Sequence, residues 1–326
     1  MAIVLSDQQV AELLDIGDLI EGVERALVDL SKGLSINPNR LRIFVKDHGS
    51  MIACMPAYLE AEGVLGAKVV GSSDKPPPPG HPRPVSSIVA LLNAQGRFLS
   101  VMSGATLGPM RTAAASAVAT RLLARADASA IAMIGCGMQA RYEILGQIQV
   151  RPIQQIFVYD IHREIAERYR EEVASRFGLR VTVMNNPEEA VDQADIVTLA
   201  TTSDVPVVIG AAVRAGTHIN AVGSHTPRSR ELDSEVVVRA RLFAEYRDAI
   251  LTEAGDVIIP IQEGRITTSH VVGEIGEVAA GLISGRLHRD EITIFKSTGI
   301  AVEDVVAAKI VYDIANVKSI GHVIEF

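Results

Sequence analysis

Two glycines and an alanine are spaced as in a phosphate-binding turn. Residues 131–134 form an apolar run, and Gly135, Gly137 and Ala140 follow it at the start of a helix-forming segment. In the pattern G-x-G-x-x-G/A the first glycine makes a tight turn, the second lets the backbone approach a pyrophosphate, and the third small residue allows close helix packing. Because N–H groups at a helix start bind phosphate oxygens, this segment is predicted to bind a nucleotide.

A carboxylate ends the next strand-like run, which covers residues 153–160 and closes with Asp160. An acid at this distance from the glycines accepts hydrogen bonds from both ribose hydroxyls and repels a 2′-phosphate. The two signals together favour NAD(H) as the cofactor. NADP(H) stays open, because His162 or Arg163 could meet a phosphate or could belong to a solvated helix start. An ordinary glycine turn followed by a surface aspartate is the structural alternative.

The composition indicates small-molecule chemistry. The 326 residues are 48% hydrophobic, which allows one large core or two moderate ones, and two domains are expected. The net charge of -8, with dispersed basic residues, predicts no nucleic-acid partner, and no apolar run approaches the ~18 residues of a membrane span. Cys54 and Cys136 lack metal-type spacing, so no metal is predicted. With no targeting pattern at the start, a cytosolic (cytoplasmic) location is expected.

The first third of the chain combines helices and strands. Residues 6–32 have helical periodicity, with Ser6 and Gln9 suited to a capping box and Gly33 to a helix end. β-like runs cover residues 41–46, 50–55, 65–71, 86–92 and 98–102. The proline-rich residues 75–84 are expected to be stiff and extended, and they could form a mobile lid or a static connector. This part of the chain is predicted to be α+β.

From Arg111 onward the pattern is that of an alternating α/β region. A helix of small residues leads into the glycine-bearing strand, and apolar runs at residues 181–184, 195–201, 217–222 and 242–245 alternate with helical segments. This rhythm predicts a Rossmann-type, doubly wound parallel sheet. Polar residues that follow two of the strands should line the crevice at the strand ends or cap the next helices. They are Thr201, Thr202, Ser203, Gly223, Ser224 and His225.

Eight motifs spread along the chain resemble those of the ornithine cyclodeaminase/mu-crystallin family. They are Met55-Pro-Ala-Tyr58, Gly66-Ala-Lys68-Val-Val, Arg111-Thr-Ala-Ala-Ala-Ser, Ile134-Gly-Cys-Gly-Met-Gln-Ala140, Ala194-Asp-Ile-Val, His218-Ile-Asn-Ala-Val-Gly223, Arg230-Glu-Leu-Asp233 and Phe295-Lys-Ser-Thr-Gly-Ile-Ala-Val-Glu-Asp304. The resemblance implies a NAD(P)-binding Rossmann domain, residues 116–300, inserted into an α+β substrate-binding and dimerisation domain, residues 1–115 plus 301–326. It also implies a homodimer.

The resemblance further implies hydride transfer at an α-amino or α-imino carbon that bears a carboxylate. Arg40 and Arg111 match family positions that hold this carboxylate, and a planar guanidinium suits a bidentate contact. Arg42 competes with Arg40, because the family spacing is loose here. Lys68 interrupts an apolar run, and burial would lower its pKa towards an acid/base range. Ser297 is also implied in substrate binding.

Cofactor binding is implied for a larger set of residues in the glycine turn and at strand ends. They are Arg111, Thr112, Gly135, Gly137, Met138, Gln139, Asp160, Arg163, Thr201, Thr202, Ser203, Val222, Gly223, Lys296 and Gly299. Lys296 could equally be a surface residue, and Arg111 a surface charge at a helix N-terminus. Glu303 and Asp304 open the last helix, where acids suit the helix dipole, so a structural role suffices for them.

His225 departs from the family pattern, because cyclodeaminases and several dehydrogenases carry an aspartate there. A carboxylate would attract a distal ammonium and assist ring closure, whereas neutral imidazole supplies a hydrogen bond without that charge. His225 could instead donate a proton to an imine nitrogen, or could be a loop histidine. Val85 and Ser103 also replace a threonine and an aspartate of relatives. The substrate pocket is therefore expected to differ from theirs.

The sequence thus predicts an NAD(P)H-dependent oxidoreductase that reduces the C=N bond of a small α-imino acid, or oxidises the matching amino acid. Δ1-pyrroline-2-carboxylate, a cyclic ketimine, and an alanine-type imine are the first substrates to consider. Lys68 and His225 are the predicted catalytic residues. The first alternative is an ornithine cyclodeaminase, which forms L-proline and ammonia with catalytic NAD. The second is a non-enzymatic cofactor-binding protein, against which the retention of Arg40, Lys68 and Arg111 argues.

Overall fold

The chain forms two compact units, Met1–Arg111 with Ile300–Phe326 and Thr112–Gly299. The computed structural model describes residues 1–73 and 85–325. The proline-rich segment, whose role as lid or connector the sequence leaves open, therefore lies outside the described residues. The predicted boundaries, after residues 115 and 300, differ slightly from those of the two units, which fall after residues 111 and 299.

The described residues contain the following elements. The strands are β1 (Ala2–Leu5), β2 (Ser35–Ile36), β3 (Leu41–Val45), β4 (Ser50–Leu59), β5 (Val64–Ser73), β6 (Val85–Asn93), β7 (Phe98–Ser103), β8 (Ala130–Ile134), β9 (Gln155–Tyr159), β10 (Arg180–Val183), β11 (Ile196–Leu199), β12 (His218–Ala221), β13 (Ala240–Ala244), β14 (Val271–Glu274), β15 (Ile292–Lys296) and β16 (His322–Ile324). The α-helices are α1 (Asp7–Leu13), α2 (Ile16–Ser31), α3 (Leu107–Leu123), α4 (Met138–Val150), α5 (Arg163–Phe177), α6 (Pro187–Asp192), α7 (Ser234–Arg239), α8 (Arg247–Glu253), α9 (Gly255–Gln262), α10 (Ile275–Ala279) and α11 (Ala301–Lys318). In this part of the chain, no helix has both the length and the hydropathy needed to span a membrane.

The first unit is built on a mixed sheet in the order β16-β1-β7-β6-β5-β4-β2, with β3 paired to β4. Strands β4 and β5 form a long antiparallel hairpin, in which Lys68 lies opposite Met55. Helix α11 packs on β4, β5 and β6, and α2 packs on α11. The capping box of Ser6 and Gln9 is present as predicted. Because the start of α11 is buried against the hairpin, residues that are far apart in sequence meet here.

The second unit contains a parallel sheet in the order β10-β9-β8-β11-β12-β15-β13-β14. The predicted doubly wound Rossmann-type sheet is confirmed. Its strand order reverses between β8 and β11, and open α/β sheets bind ligands outside the carboxyl ends of the strands at such a point. Strands β14 and β15 were not predicted, because β14 is short and contains Gly273 and Glu274, and β15 ends in Lys296.

Helix α3 begins earlier than predicted. The change to small residues after Arg111 suggested that the helix starts there, but it begins at Leu107. The extra turn contributes Leu107 and Met110 to the core. Arg111 therefore lies inside the helix and is buried, and the alternative of a surface charge at a helix N-terminus is wrong.

A buried histidine in the second unit predicts how stability depends on pH. His218 is fully buried between Thr293 Oγ1, 3.0 Å from Nδ1, and Asn220 Oδ1, 3.1 Å from Nε2. Burial, reinforced by the Arg286 charge, lowers the pKa of His218 to about 3. The folded protein thus holds a neutral imidazole, while the unfolded chain takes up a proton below its ordinary pKa of ~6.5. The free energy of unfolding is therefore at its full value above pH ~6.5. As pH falls below that value, it decreases by about 1.4 kcal/mol per pH unit.

Urea unfolding at pH 7 and at pH 5 checks this expectation. We expect the His218→Gln variant to lose less unfolding free energy between the two pH values than the wild type does, by about 2 kcal/mol. Equal pH slopes for the two proteins would show that His218 is not the group responsible.

Candidate functional site

A cleft of about 600 Å³ lies at the carboxyl ends of β8, β9 and β11 in the second unit. Six of the predicted cofactor-binding residues line it: Gly135, Gly137, Asp160, Thr201, Thr202 and Ser203. Apolar walls come from Ile134, Ile165 and Val207. The structure therefore brings the glycine turn, the carboxylate after β9 and the polar residues after β11 into one pocket.

The glycine turn has the shape that a phosphate cradle requires. Gly135 has φ +86°, and a Cβ there would lie 2.7 Å from the carbonyl oxygen of Ala200, so only glycine fits. A Cβ at Gly137 would meet no heavy atom within 4 Å. Gly137 is also the N-cap of α4, and no side chain caps that helix start. The open space and the helix N-terminus together suit a pyrophosphate.

The Asp160 carboxylate holds the turn while facing the cleft. Its Oδ2 accepts from the backbone N–H of Cys136 at 2.9 Å, and its Oδ1 accepts from that of His162 at 2.9 Å. A carboxylate accepts about four hydrogen bonds, so it can still bind ribose hydroxyls. Burial raises the pKa of the Cys136 thiol to about 12, which keeps this cysteine in its uncharged form.

Glu231 connects the loop that follows β11 to the loop that follows β12. Its buried carboxylate accepts four hydrogen bonds: Oε1 from the backbone N–H and the hydroxyl of Thr201, both at 2.8 Å, and Oε2 from the backbone N–H of Gly223 at 2.8 Å and of Ser224 at 3.1 Å. Gly223 admits this close approach, because a Cβ there would lie 2.3 Å from the carbonyl oxygen of Thr201. Burial raises the pKa of Glu231, and the charge of Lys296 opposes that shift.

The Glu231→Gln variant is expected to lose stability. Whichever way the amide is oriented, its NH2 group faces at least one backbone N–H that now has no acceptor, and each unsatisfied buried group costs about 1–3 kcal/mol. Urea unfolding should therefore show a lower unfolding free energy. Glu171→Gln, on the exposed face of α5, is the matched control and should change it by less than about 0.5 kcal/mol. If the two variants are equally stable, the carboxylate does not hold these loops.

Lys296 lies in the interior of the second unit and not at its surface. Its ammonium is fully buried, donates to the carbonyl oxygens of Ala221 (3.1 Å) and Ser224 (2.7 Å), and pairs with Asp256 Oδ2 at 2.8 Å. Two of the three ammonium hydrogens are used in these hydrogen bonds, and the Asp256 carboxylate balances the charge. The surface position is wrong, because the side chain is fully buried. Cofactor binding by Lys296 stays a prediction. Asp256 also accepts from the backbone N–H of Glu231, so both residues support the Glu231 loop.

The segment after β15 is held by another buried carboxylate. Glu245 Oε1 accepts from the hydroxyl of Ser297 at 2.6 Å, and Oε2 accepts from the backbone N–H of Gly299 at 2.7 Å. The Ser297 side chain is buried, and its hydroxyl proton is used in this contact. Substrate binding by Ser297 and cofactor binding by Gly299 stay predictions, and the observed contacts give both residues a role in shaping the loop.

The remaining predicted residues of the second unit lie outside the cleft lining. Met138 is exposed at the start of α4, and Gln139 donates to Glu143 at 2.8 Å. The Arg163 guanidinium donates to Asn185 at 3.2 Å and pairs with Glu167 at 3.4 Å. Thr112 belongs to α3, and Val222 follows β12. Their cofactor contacts stay predictions.

His225 lies in the exposed loop after β12. Its Nδ1 is 3.1 Å from the carbonyl oxygen of Gly223, and a carbonyl can only accept, so Nδ1 carries the proton. This contact orients the imidazole relative to the Glu231-bound loop. A catalytic role for His225 stays a prediction.

The first unit holds a cluster of two cations and two acids, here called the Lys68 cluster: Lys68, Arg111, Glu303 and Asp304. Asp304 Oδ1 accepts from Lys68 Nζ at 3.1 Å and from Arg111 Nε at 2.9 Å, and Glu303 Oε2 accepts from Arg111 Nη1 at 2.8 Å. All four residues are buried. The interpretation of Glu303 and Asp304 as dipole-favouring helix-end acids is therefore insufficient, because they bind the two predicted substrate-binding cations.

The charge state of Lys68 depends on this cluster. Burial lowers the pKa of Lys68, Asp304 opposes the shift, and the positive charges of Arg111 and Arg40 add to it. Carboxylate binding by Arg40 stays a prediction. Although burial alone would raise the pKa of Asp304, Arg111 and Lys68 hold it below its ordinary value. Asp304 is therefore a carboxylate at neutral pH.

Sequence reasoning missed the roles of Glu231, Glu245, Asp256 and Asp304. Asp256 gave a usable signal, since it precedes the apolar residues Val257 to Ile259 and a charge in such a run needs a buried partner. For the other three no local pattern identifies a partner, because each carboxylate binds groups brought together only by the fold.

Comparison with known proteins identifies the family. The sequence profile of the ornithine cyclodeaminase/mu-crystallin family matches residues 1–319. The chain belongs to this family. The resemblance drawn from the eight motifs is therefore confirmed.

Relatives within the ornithine cyclodeaminase/mu-crystallin family include enzymes that match almost the whole chain. The Δ1-pyrroline-2-carboxylate reductase of Bacillus cereus is 33% identical over 326 residues, covering 99% of this chain and 100% of the relative. The structure of Thermococcus litoralis Δ1-pyrroline-2-carboxylate reductase in complex with NADH and L-proline has a TM-score of 0.95 and 38% identity, covering 99% of this chain and 100% of that one. An archaeal alanine dehydrogenase dimer with bound NAD has a TM-score of 0.94 and 32% identity, covering 100% and 99%.

Proposed function

We propose that this protein uses NADH to reduce the C=N bond of a small α-imino acid, with Δ1-pyrroline-2-carboxylate as the first substrate to test. The observation that carries the proposal is the Lys68 cluster, in which an ammonium and a guanidinium lie against the same carboxylate oxygen. The Lys68 ammonium suits the nitrogen of such a substrate, and the Arg111 guanidinium suits its carboxylate. The relatives include reductases of this substrate.

The cofactor proposal rests on the cleft of the second unit. The open space at Gly137 and the uncapped start of α4 fit a pyrophosphate, and Asp160 fits the adenosine ribose. The Asp160 charge disfavours a 2′-phosphate, and the Arg163 guanidinium already contacts Asn185 and Glu167. NADH is therefore favoured over NADPH. Bound there, a reduced nicotinamide supplies the hydride that adds to the imine carbon.

The first unit supplies the groups that act on the substrate. Arg111, with Arg40, binds the carboxylate through a planar guanidinium and so orients the imine carbon. As the hydride adds, the C=N electron pair moves to nitrogen, which takes a proton from the Lys68 ammonium. Solvent then returns a proton to Lys68. His225 is the alternative donor of that proton in this proposal.

The decisive experiment is an absorbance assay of the purified protein with NADH or NADPH and a panel of imines. Δ1-pyrroline-2-carboxylate and pyruvate with ammonia belong in the panel. We expect substrate-dependent loss of reduced nicotinamide, faster with NADH. Ammonia release from ornithine with catalytic NAD, and no net absorbance change, would replace this function by cyclodeamination. Cofactor binding with neither activity would indicate a binding protein.

The proposal includes a homodimer in the cytosol. On β3 of the first unit, Leu41 and Ile43 lie on the same face and expose 67% and 57% of their surface, and Ile43 pairs with the exposed Ile52 of β4. A contiguous apolar patch of this kind is typical of an interface. Sedimentation equilibrium should give the mass of two 34.8 kDa chains. Cys54 and Cys136 are free thiols, as a reducing compartment permits.

A further inference from the structure

Asp304 contacts both cations of the Lys68 cluster through a single atom. Its Oδ1 lies 3.1 Å from Lys68 Nζ and 2.9 Å from Arg111 Nε, so the two nitrogens are within about 6 Å of each other, the sum of those distances. An α-imino acid carries its nitrogen and its carboxylate on the same carbon. Cations held at this separation can therefore contact both groups of one substrate molecule.

A lysine that donates a proton must be charged before it reacts, and the surroundings of Lys68 oppose that charge. Its ammonium is largely buried, and Arg111 and Arg40 are both positive. Its neighbours on the adjacent strands are uncharged, Met55 on β4 and Val89 on β6. Among the described residues, Asp304 is the acid that contacts Lys68, while Glu303 contacts Arg111.

We propose that Asp304 is a positioning residue for imine reduction, which keeps the Lys68 ammonium charged and sets its spacing from Arg111. The inference rests on the proposed function, since it assigns to Asp304 the control of the proton donor in that reaction. Asp304 acts through Lys68 and Arg111, because its carboxylate is fully buried and its contacts are with these two cations. Burial of a carboxylate is costly unless it is paired, so the helix dipole alone does not account for a fully buried aspartate at this position.

Asp304→Asn tests this assignment through the pH profile of kcat. The amide keeps the size of the side chain and removes its charge, so Lys68 loses its proton at lower pH. We expect the alkaline limb of kcat to move to lower pH by about 1 to 3 pH units. At a pH above the limb, kcat then falls about tenfold for each pH unit of the shift, while the affinity for NADH is unchanged.

Two further variants distinguish a positioning role of Asp304 from a non-specific loss of structure. Asp304→Glu keeps the charge and should keep the alkaline limb near its wild-type position, even if kcat falls. Asp313→Asn changes another aspartate of α11, one that pairs with Lys309, and should leave the profile as in the wild type. An Asp304→Asn profile lowered equally at every pH, with no shift of the limb, would overturn the proposal.

A measurement without turnover keeps the test independent of the substrate. The chain has seven lysines, so ¹⁵N-lysine labelling gives few Nζ signals, and Lys68→Met identifies that of Lys68. We expect this signal to be that of an ammonium at pH 7 in the wild type and in Asp304→Glu. A neutral Lys68 in the wild type would overturn the inference. If the wild type reduces no imine, and Lys68 is charged in it but neutral in Asp304→Asn, the proposed function fails while the control of the Lys68 charge by Asp304 stands.

Discussion

Replacing Lys68 by methionine is expected to lower kcat for imine reduction by about 10²- to 10⁴-fold, the usual contribution of a positioned general acid. The methionine side chain has a similar length and suits the apolar strand β5, and Asp304 keeps its hydrogen bond from Arg111. The affinity for NADH should not change, because the proposed cofactor cleft belongs to the second unit. Stopped-flow absorbance at saturating NADH and imine measures the effect.

Lys318→Met is the matched control for this prediction. Lys318 is an exposed lysine in the last turn of α11, and its replacement should leave kcat and the NADH affinity as in the wild type. Wild-type turnover in Lys68→Met would show that the proton comes from another group, and His225 would then be the next residue to replace.

Replacing Gly137 by valine is expected to weaken NADH binding by at least about 100-fold, the loss that follows when several charge-assisted hydrogen bonds of about 1.5–3 kcal/mol each are blocked. The new side chain would fill open space at the cleft rim, where a pyrophosphate would contact the start of α4. Since that space holds no protein atom within 4 Å, the fold should lose only the N-cap preference of glycine, about 1 kcal/mol. Fluorescence titration with NADH gives the affinity.

Two comparisons make the Gly137→Val result specific. Adenosine, which lacks the pyrophosphate, should bind the variant and the wild type about equally. Gly135→Ala should instead reduce the melting temperature, since its Cβ would collide with the carbonyl oxygen of Ala200 and its φ of +86° strains any other residue. Wild-type NADH affinity in Gly137→Val would mean that the cofactor phosphates bind elsewhere.

The cofactor cleft and the Lys68 cluster differ in how much of each could be predicted from the sequence. The glycine turn and Asp160 belong to one local β-α-β unit, in which spacing along the chain determines spacing in the fold. Most strands of the parallel sheet were predicted for the same reason, since hydrophobic periodicity is a local property. Strand β15 was missed because it ends in Lys296, whose charge is compensated only by the distant residue Asp256.

The Lys68 cluster shows what sequence reasoning could not reach. Lys68 and Asp304 are 236 residues apart in the chain. The family resemblance named Lys68 and Arg111, whereas the position of Asp304 at the start of the last helix suggested only a role toward the helix dipole. The packing of α11 on β5 brings Asp304 to Lys68, and Asp304 also accepts a hydrogen bond from Arg111 of α3. In the same way the fold enclosed Lys296 among three acceptors, where the sequence allowed a cofactor ligand or a surface residue.

The sequence by itself thus determined the family, the Rossmann-type sheet and the identity of the residues that could bind phosphate or carboxylate. Only the tertiary structure decided which buried charge neutralises which other. The physical reason is that local patterns report backbone geometry and burial, whereas the partner of a buried charge depends on chain segments that meet only after folding.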